Sequence, residues 1–116
     1  MSERSSHRGS GHWWAQRLTA VALIILGLWF LMSILLLQDL GFDAVSVWLA
    51  RPSNIITMIL TFATLVYHSQ LGVQVVIEDY VHGPTIQVFS LRANVLGHVL
   101  LAAAGMLALV KIGFGL

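Results

Sequence analysis

Charged side chains are so unevenly spread along the chain that they mark its elements. None occurs between Arg17 and Asp39, between Arg51 and Glu78, or between Arg92 and Lys111, and Leu, Ile, Val, Ala and Phe dominate these intervals. Each interval holds about 18–26 residues, and a helix needs about 20 apolar residues to cross a bilayer. The predicted spans are residues 18–37, 55–77 and 93–112. Backbone N–H and C=O groups in lipid must be bonded within the segment, so these spans are helices and not strands. Gly83-Pro84 stops the second helix. The first 11 residues, MSERSSHRGSG, have no apolar run and read as a flexible tail that orders on docking, not as a cleaved secretion signal. No internal repeat is visible, and residues 1–116 read as a single membrane domain.

Composition strengthens that picture. The chain is 58% hydrophobic and 9% charged, with a mean hydropathy of +0.86, whereas soluble domains carry roughly 25% charged residues. A soluble fold of this size has too much surface for its volume to hide so many apolar groups. The fold class expected is therefore an all-α membrane protein of three transmembrane helices. Cysteine is absent, which excludes a disulfide scaffold, a thiolate zinc site and a cysteine-held iron–sulfur cluster. A net charge of +1 gives no footprint for nucleic acid; the lipid bilayer is the expected surrounding. Arg4, Arg8 and Arg17 precede the first span, while the first loop carries Asp39 and Asp43 against Arg51. The positive-inside rule then puts the N-terminus in the cytoplasm and the first loop outside. Small residues in spans one and three (Ala20, Ala22, Gly27; Gly97, Ala102, Ala103, Ala104, Gly105) permit close helix approach, to each other and to another subunit.

Polar residues at membrane depth are costly and usually have a use. His68 lies close to the centre of span two, where an imidazole needs a hydrogen-bond partner or a metal. One reading bonds it to a nearby Ser, Thr or carbonyl. The other makes it an axial haem ligand, and Gly72, one turn on along the same face, would leave bare backbone for a porphyrin. His98 stands six residues into span three after Arg92, about 9 Å of rise and shallower than His68, and is expected to be a bonded interior histidine. Glu78, Asp79, Tyr80 and His82 cluster at the cytoplasmic boundary. Carboxylates and tyrosine are ordinary there, but Tyr80 and Asp79 also suit a quinone pocket, one donating to a carbonyl and the other orienting it or relaying protons. His68 and Asp79 are separated by roughly 16 Å along the axis. In the segment 12–17, HWWAQR, the tryptophans suit the interface. His12 and Arg17 there offer charge and hydrogen bonds to propionates or to a headgroup.

The run from His68 through Gly72 to Asp79-Tyr80 resembles the H-x3-G-x6-D-Y signature of the smaller hydrophobic membrane-anchor subunit of succinate dehydrogenase, respiratory complex II. Gln16-Arg17-Leu18-Thr19-Ala20 is similar to the R-x-T-A opening of that family's first helix. The resemblance covers nearly the whole chain. It implies that His68 is the axial ligand of a haem b shared with the second, partner anchor subunit of succinate dehydrogenase, which supplies the other ligand. It implies that Tyr80 hydrogen-bonds the quinone, ubiquinone or menaquinone, with Asp79 beside it. Arg17 would lie near both the haem propionates and the quinone, with His12 and Gly72 in the haem pocket. The flavoprotein and iron–sulfur subunits would dock on the cytoplasmic face of a bacterial inner membrane, rather than a mitochondrial one. The chain itself would carry out no succinate chemistry. Related fumarate reductase anchors, and a cofactor-free scaffold in which His68 is merely packed, are the alternatives. A small multidrug-type transporter would need a carboxylate inside a span, and none of the three has one.

Overall fold

Two prolines and one glycine punctuate the chain. Proline at the first helical position has its φ already set for a helix and lacks only an N–H that would go unbonded there. Pro52 and Pro84 start two of the long helices in this way. Arg51, just before Pro52, is extended at φ −67°, ψ 130°, as the proline ring demands of its predecessor. Gly83 sits at φ +118°, in a region that only glycine enters freely, and so makes the sharp turn into Pro84.

The computed structural model describes residues 2–116, with side chains from Ser10 onward. The described residues form four helices: α1 (Ser2–Leu36), α2 (Phe42–Ala50), α3 (Pro52–Tyr80) and α4 (Pro84–Gly113). Three stretches, Ser10–Leu36, Pro52–Tyr80 and Pro84–Gly113, are long and apolar enough to cross a membrane. The protein is an all-α membrane protein. Of the tail expected over residues 1–11, all but Ser10 and Gly11 lie outside the described side chains, and α1 begins at Ser2.

The helices run past the intervals that charge alone marks. α4 starts at Pro84, well before residue 93, and carries Arg92 within it. A long basic side chain can lay its stem along an apolar helix and keep its head in water, so one arginine does not end a helix. The first loop also holds a helix that charge spacing did not reveal. Asp39 Oδ1 accepts from the Gly41 N–H at 2.9 Å, and the nine apolar-rich residues of α2 follow. Trp48 of α2 lies 5.6 Å from the Trp29 ring of α1, Leu49 is buried, and Asn54 Nδ2 donates to the Trp48 carbonyl at 2.8 Å. Too short to span, α2 closes one end of the molecule against α3 and α4.

α3 is the central helix. α1 and α4 pack antiparallel against its two sides, and their backbones do not approach each other closely among the described residues. This corrects the expectation that the small-residue faces of spans one and three meet. Gly27 and Gly97 face open space, while Gly105 packs against the Phe62 ring of α3. The core is thin: Leu49, Ile55, Val66 and Leu71 are its buried apolar residues, and three of these four belong to α3. Apolar surface gains little by leaving lipid, so close packing and polar bonds hold such helices together.

Gly105 gives a direct test of that packing. A Cβ there would run into the Phe62 ring, and overpacking a tight seam costs typically 1–3 kcal/mol. Gly105→Ala should lower the thermal midpoint of the detergent-solubilised protein, and adding Phe62→Leu should restore most of the loss. An unchanged midpoint for Gly105→Ala alone would show that the two helices are not in contact there.

Candidate functional site

The polar side chains of α3 divide between its two neighbours. Toward α1 points His68, half-buried, whose Nδ1 lies 2.8 Å from Thr19 Oγ1. The same hydroxyl stands 2.7 Å from the Ala15 carbonyl and 3.1 Å from that of Gln16. A hydroxyl has one proton and two lone pairs, and a carbonyl can only accept. We assign the proton to Ala15 O, which makes His68 Nδ1–H the donor to Thr19 and leaves the lone pair on Nε2. No described residue bonds Nε2, and that nitrogen is not fully enclosed by the chain.

Gly72, one turn further along α3, faces Gln16 of α1, with Gln16 Nε2 3.6 Å from where a Cβ would sit. Gln16 Oε1 is enclosed there without a hydrogen-bond partner. Residues 68, 72 and 79 fall on one stripe of α3 by the spacing of a 3.6-residue helix. Asp79 and Tyr80 are adjacent and therefore point about 100° apart, because neighbours on a helix do not share a face. Both are exposed, Tyr80 at 77%.

His12 is held differently. Gln74 Nε2 donates to His12 Nε2 at 3.3 Å and to Glu78 Oε1 at 3.0 Å, while Gln70 Nε2 donates to Gln74 Oε1 at 3.2 Å. Gln70, Gln74 and Glu78 thus form a ladder at four-residue spacing. Arg17 turns away from α3. It is exposed, with its guanidinium 5.3 Å from the centre of the Trp13 ring, a cation–π contact. Within this chain, therefore, His68, Thr19, Gly72 and Gln16 come together, His12 joins Gln74 and Glu78, and Arg17, Asp79 and Tyr80 remain apart.

Toward α4 the second interior histidine is fully used. His98 Nδ1 lies 2.9 Å from the Asn94 carbonyl, which can only accept, and Ser69 Oγ lies 3.1 Å from Nε2. With the Nδ1 proton assigned to the carbonyl, Ser69 donates to the lone pair of Nε2. The bond to Ser69 puts His98 level with His68, not shallower. The early start of α4 explains the difference, since counting depth from Arg92 begins too late in the helix. Asn94, buried, donates from Nδ2 to the Gln70 carbonyl at 3.1 Å, and its Oδ1 has no partner. Gln87 closes the α3–α4 turn on the Glu78 and Val81 carbonyls.

Thr19, Gln16, Gln74 and Asn94 are the participants that residue-by-residue reading missed. The first two lie inside the Gln16-to-Ala20 segment. Their importance depends on α1 and α3 being antiparallel in one register, which no local pattern states. A groove of about 360 Å³ opens between α3 and α4, lined by Tyr67, Gln70, His98 and Met106 among others. Two smaller ones flank His12, lined by Ala15 and Leu71 in one and by Gln16, Val75 and Glu78 in the other. None of these is lined by His68, Gly72, Asp79 or Tyr80. No group of three or more His, Cys, Asp or Glu side chains suited to a bare metal ion occurs among the described residues.

Residues 3–109 match the family model of the succinate dehydrogenase/fumarate reductase transmembrane subunit. The chain is 40% identical to a succinate dehydrogenase hydrophobic membrane anchor subunit of Rickettsia bellii over 77 residues, 66% of this chain and 62% of that protein. It thus spans less than two thirds of that relative's length. It is 39% identical to a succinate dehydrogenase membrane anchor subunit of Reclinomonas americana over 72% of each chain. Against the hydrophobic membrane anchor subunit of Paracoccus denitrificans the identity is 28%, over 96% of this chain and 85% of that one. No solved structure matches. With three membrane-length helices, the H-x3-G-x6-D-Y run on the central one and a family match over nearly its whole length, the chain belongs to the succinate dehydrogenase/fumarate reductase transmembrane-subunit family, alongside its succinate dehydrogenase membrane anchors.

Proposed function

We propose that this chain is the half of a two-chain membrane anchor that supplies one axial ligand to a shared b-type haem and one wall of a quinone pocket. The observation that carries the reading is the His68 ring, bonded at Nδ1 by Thr19 and open at Nε2. An interior imidazole with an accessible, lone-pair-bearing nitrogen is the form that coordinates iron. The haem, when bound, supplies one-electron chemistry between the iron–sulfur protein and the membrane. The partner anchor of succinate dehydrogenase gives the second ligand, and the flavoprotein and iron–sulfur proteins of the complex dock on the cytoplasmic side, where the N-terminus also lies. The setting is the bacterial cytoplasmic membrane.

The residues of this chain have separate tasks in that reading. His68 would hold the haem iron through Nε2, and Gly72 would keep the adjacent α3 surface low. His12, fixed by Gln74, and Arg17, stacked on Trp13, offer donors to the propionates. Tyr80, at the end of α3 with its phenol turned outward, donates to a quinone carbonyl, ubiquinone or menaquinone, and strengthens that bond as the oxygen gains charge. Asp79, about 100° around the helix, orients the site from its other side and relays protons, while Arg17, apart from both within this chain, would offer its positive charge to the quinone from α1.

Two substitutions test the two halves. His68→Ala should abolish or strongly alter the low-spin haem signal of the purified complex, and an unchanged spectrum and midpoint potential would remove His68 from the site. Tyr80→Phe keeps the ring and removes one hydroxyl. It should slow succinate-driven quinone reduction about tenfold, since 1.4 kcal/mol is a factor of ten and a bond to a developing charge contributes roughly 1.5–3 kcal/mol. Succinate oxidation with an acceptor that takes electrons before the membrane domain should stay normal. If both activities fell together the defect would be assembly, and if neither fell Tyr80 would be an interface tyrosine only.

A further inference from the structure

We propose that Thr19 is the positioning residue of His68: its hydroxyl, donated to the Ala15 carbonyl, accepts the Nδ1 proton and so fixes both the tautomer and the ring plane that present Nε2. The inference rests on the haem reading above and assigns to α1 a task in it.

Comparison of the two interior histidines isolates what matters. In both, Nδ1 is held by an oxygen, Thr19 Oγ1 at 2.8 Å for His68 and the Asn94 carbonyl at 2.9 Å for His98. They differ at Nε2, which Ser69 occupies in His98 and which no described residue bonds in His68. His98 is anchored by its own helix, four residues back, so its ring would be held whatever α3 did. His68 has no such local anchor. One turn before it, Thr64 turns its hydroxyl onto the Leu60 carbonyl, and one turn after it stands Gly72, which has no side chain. The acceptor comes instead from another helix, α1.

Thr19 is suited to hold a fixed acceptor. A β-branched side chain in a helix has few χ1 choices, and back-bonding to the preceding turn pins the oxygen to the α1 backbone. The position of the His68 ring is therefore referred to α1, not to a flexible side chain. Metal-bound imidazoles commonly donate their far N–H to such a partner, which orients the ring and raises its basicity, and loss of the partner typically weakens metal binding 10–100-fold. A more basic imidazole favours the ferric state, so removal of the acceptor should raise the haem midpoint potential.

The test uses the complete membrane-bound complex with Thr19→Val, Thr19→Ser and His68→Ala side by side. Thr19→Val keeps the shape and removes the acceptor. It should assemble with haem, move the low-spin EPR signal, raise the midpoint potential and speed haem transfer to apomyoglobin about tenfold or more. Thr19→Ser keeps the hydroxyl and should return all three readouts to near wild type. If Thr19→Val matched wild type in all three, or if serine and valine gave the same shift, the positioning role would be wrong. His68→Ala separates the two levels. Loss of the signal there with a wild-type Thr19→Val would overturn only the role of Thr19, whereas an unchanged signal would overturn the haem reading and this inference with it. Should Thr19→Val not assemble, Thr19→Ala carries the same expectation. Failure of both beside a normal Thr19→Ser would make the hydroxyl a folding element and refute the proposal.

Discussion

Polar groups at membrane depth must find their partners inside the protein, and in this chain most of them sit on one helix. α3 carries Thr61, His68, Ser69, Gln70 and Gln74. An isolated α3 would expose them to hydrocarbon, where an unmet hydrogen bond costs several kcal/mol. That constraint explains why α3 is central. α1 answers His68 with Thr19 and meets Gln74 through His12, while α4 answers Ser69 with His98 and the Gln70 carbonyl with Asn94. The two flanking helices need not pack closely against each other, and among the described residues their backbones do not. Apolar packing, such as Phe62 against Gly105, then sets how closely each helix approaches.

The same arrangement separates structure from chemistry. Asn94, His98 and Ser69 form a bonded set in which both imidazole nitrogens are occupied, and it joins α3 to α4. On the other side of α3, Thr19 satisfies one nitrogen of His68 and leaves the other accessible. A histidine held at one nitrogen and open at the other is what the proposed haem ligation requires. This fits a protein whose family works in the membrane and whose helices, such as the outer face of α1 with Leu28, Met32 and Leu35, remain uncovered by the chain itself.

Much of this was legible in the sequence. Gaps between charges located the three spans because a charge in hydrocarbon is expensive, and the spacing from His68 to Tyr80 pointed to the family. Helix ends were less legible, since Arg92 could ride inside α4 and Pro84 could both end one helix and begin the next. α2 was hidden because its nine residues include Asp43 and end just before Arg51, a stretch too short to register as a span. The depth of His98 and the part played by Thr19 depend on the register between antiparallel helices. Register arises from contacts such as Ile55 with Gly113 and Phe62 with Gly105, which join residues far apart in sequence. No local pattern encodes them.

The central claim is that His68 is tied inward at Nδ1 and completed from outside at Nε2. A cryo-electron microscopy map of the assembled complex, at a resolution that shows ring orientation, tests it most directly. The account predicts haem iron on His68 Nε2, with Nδ1 still within hydrogen-bond distance of Thr19 Oγ1, near the 2.8 Å of this structure. A haem ligated by other residues, with both nitrogens of His68 bonded within the protein, would contradict it.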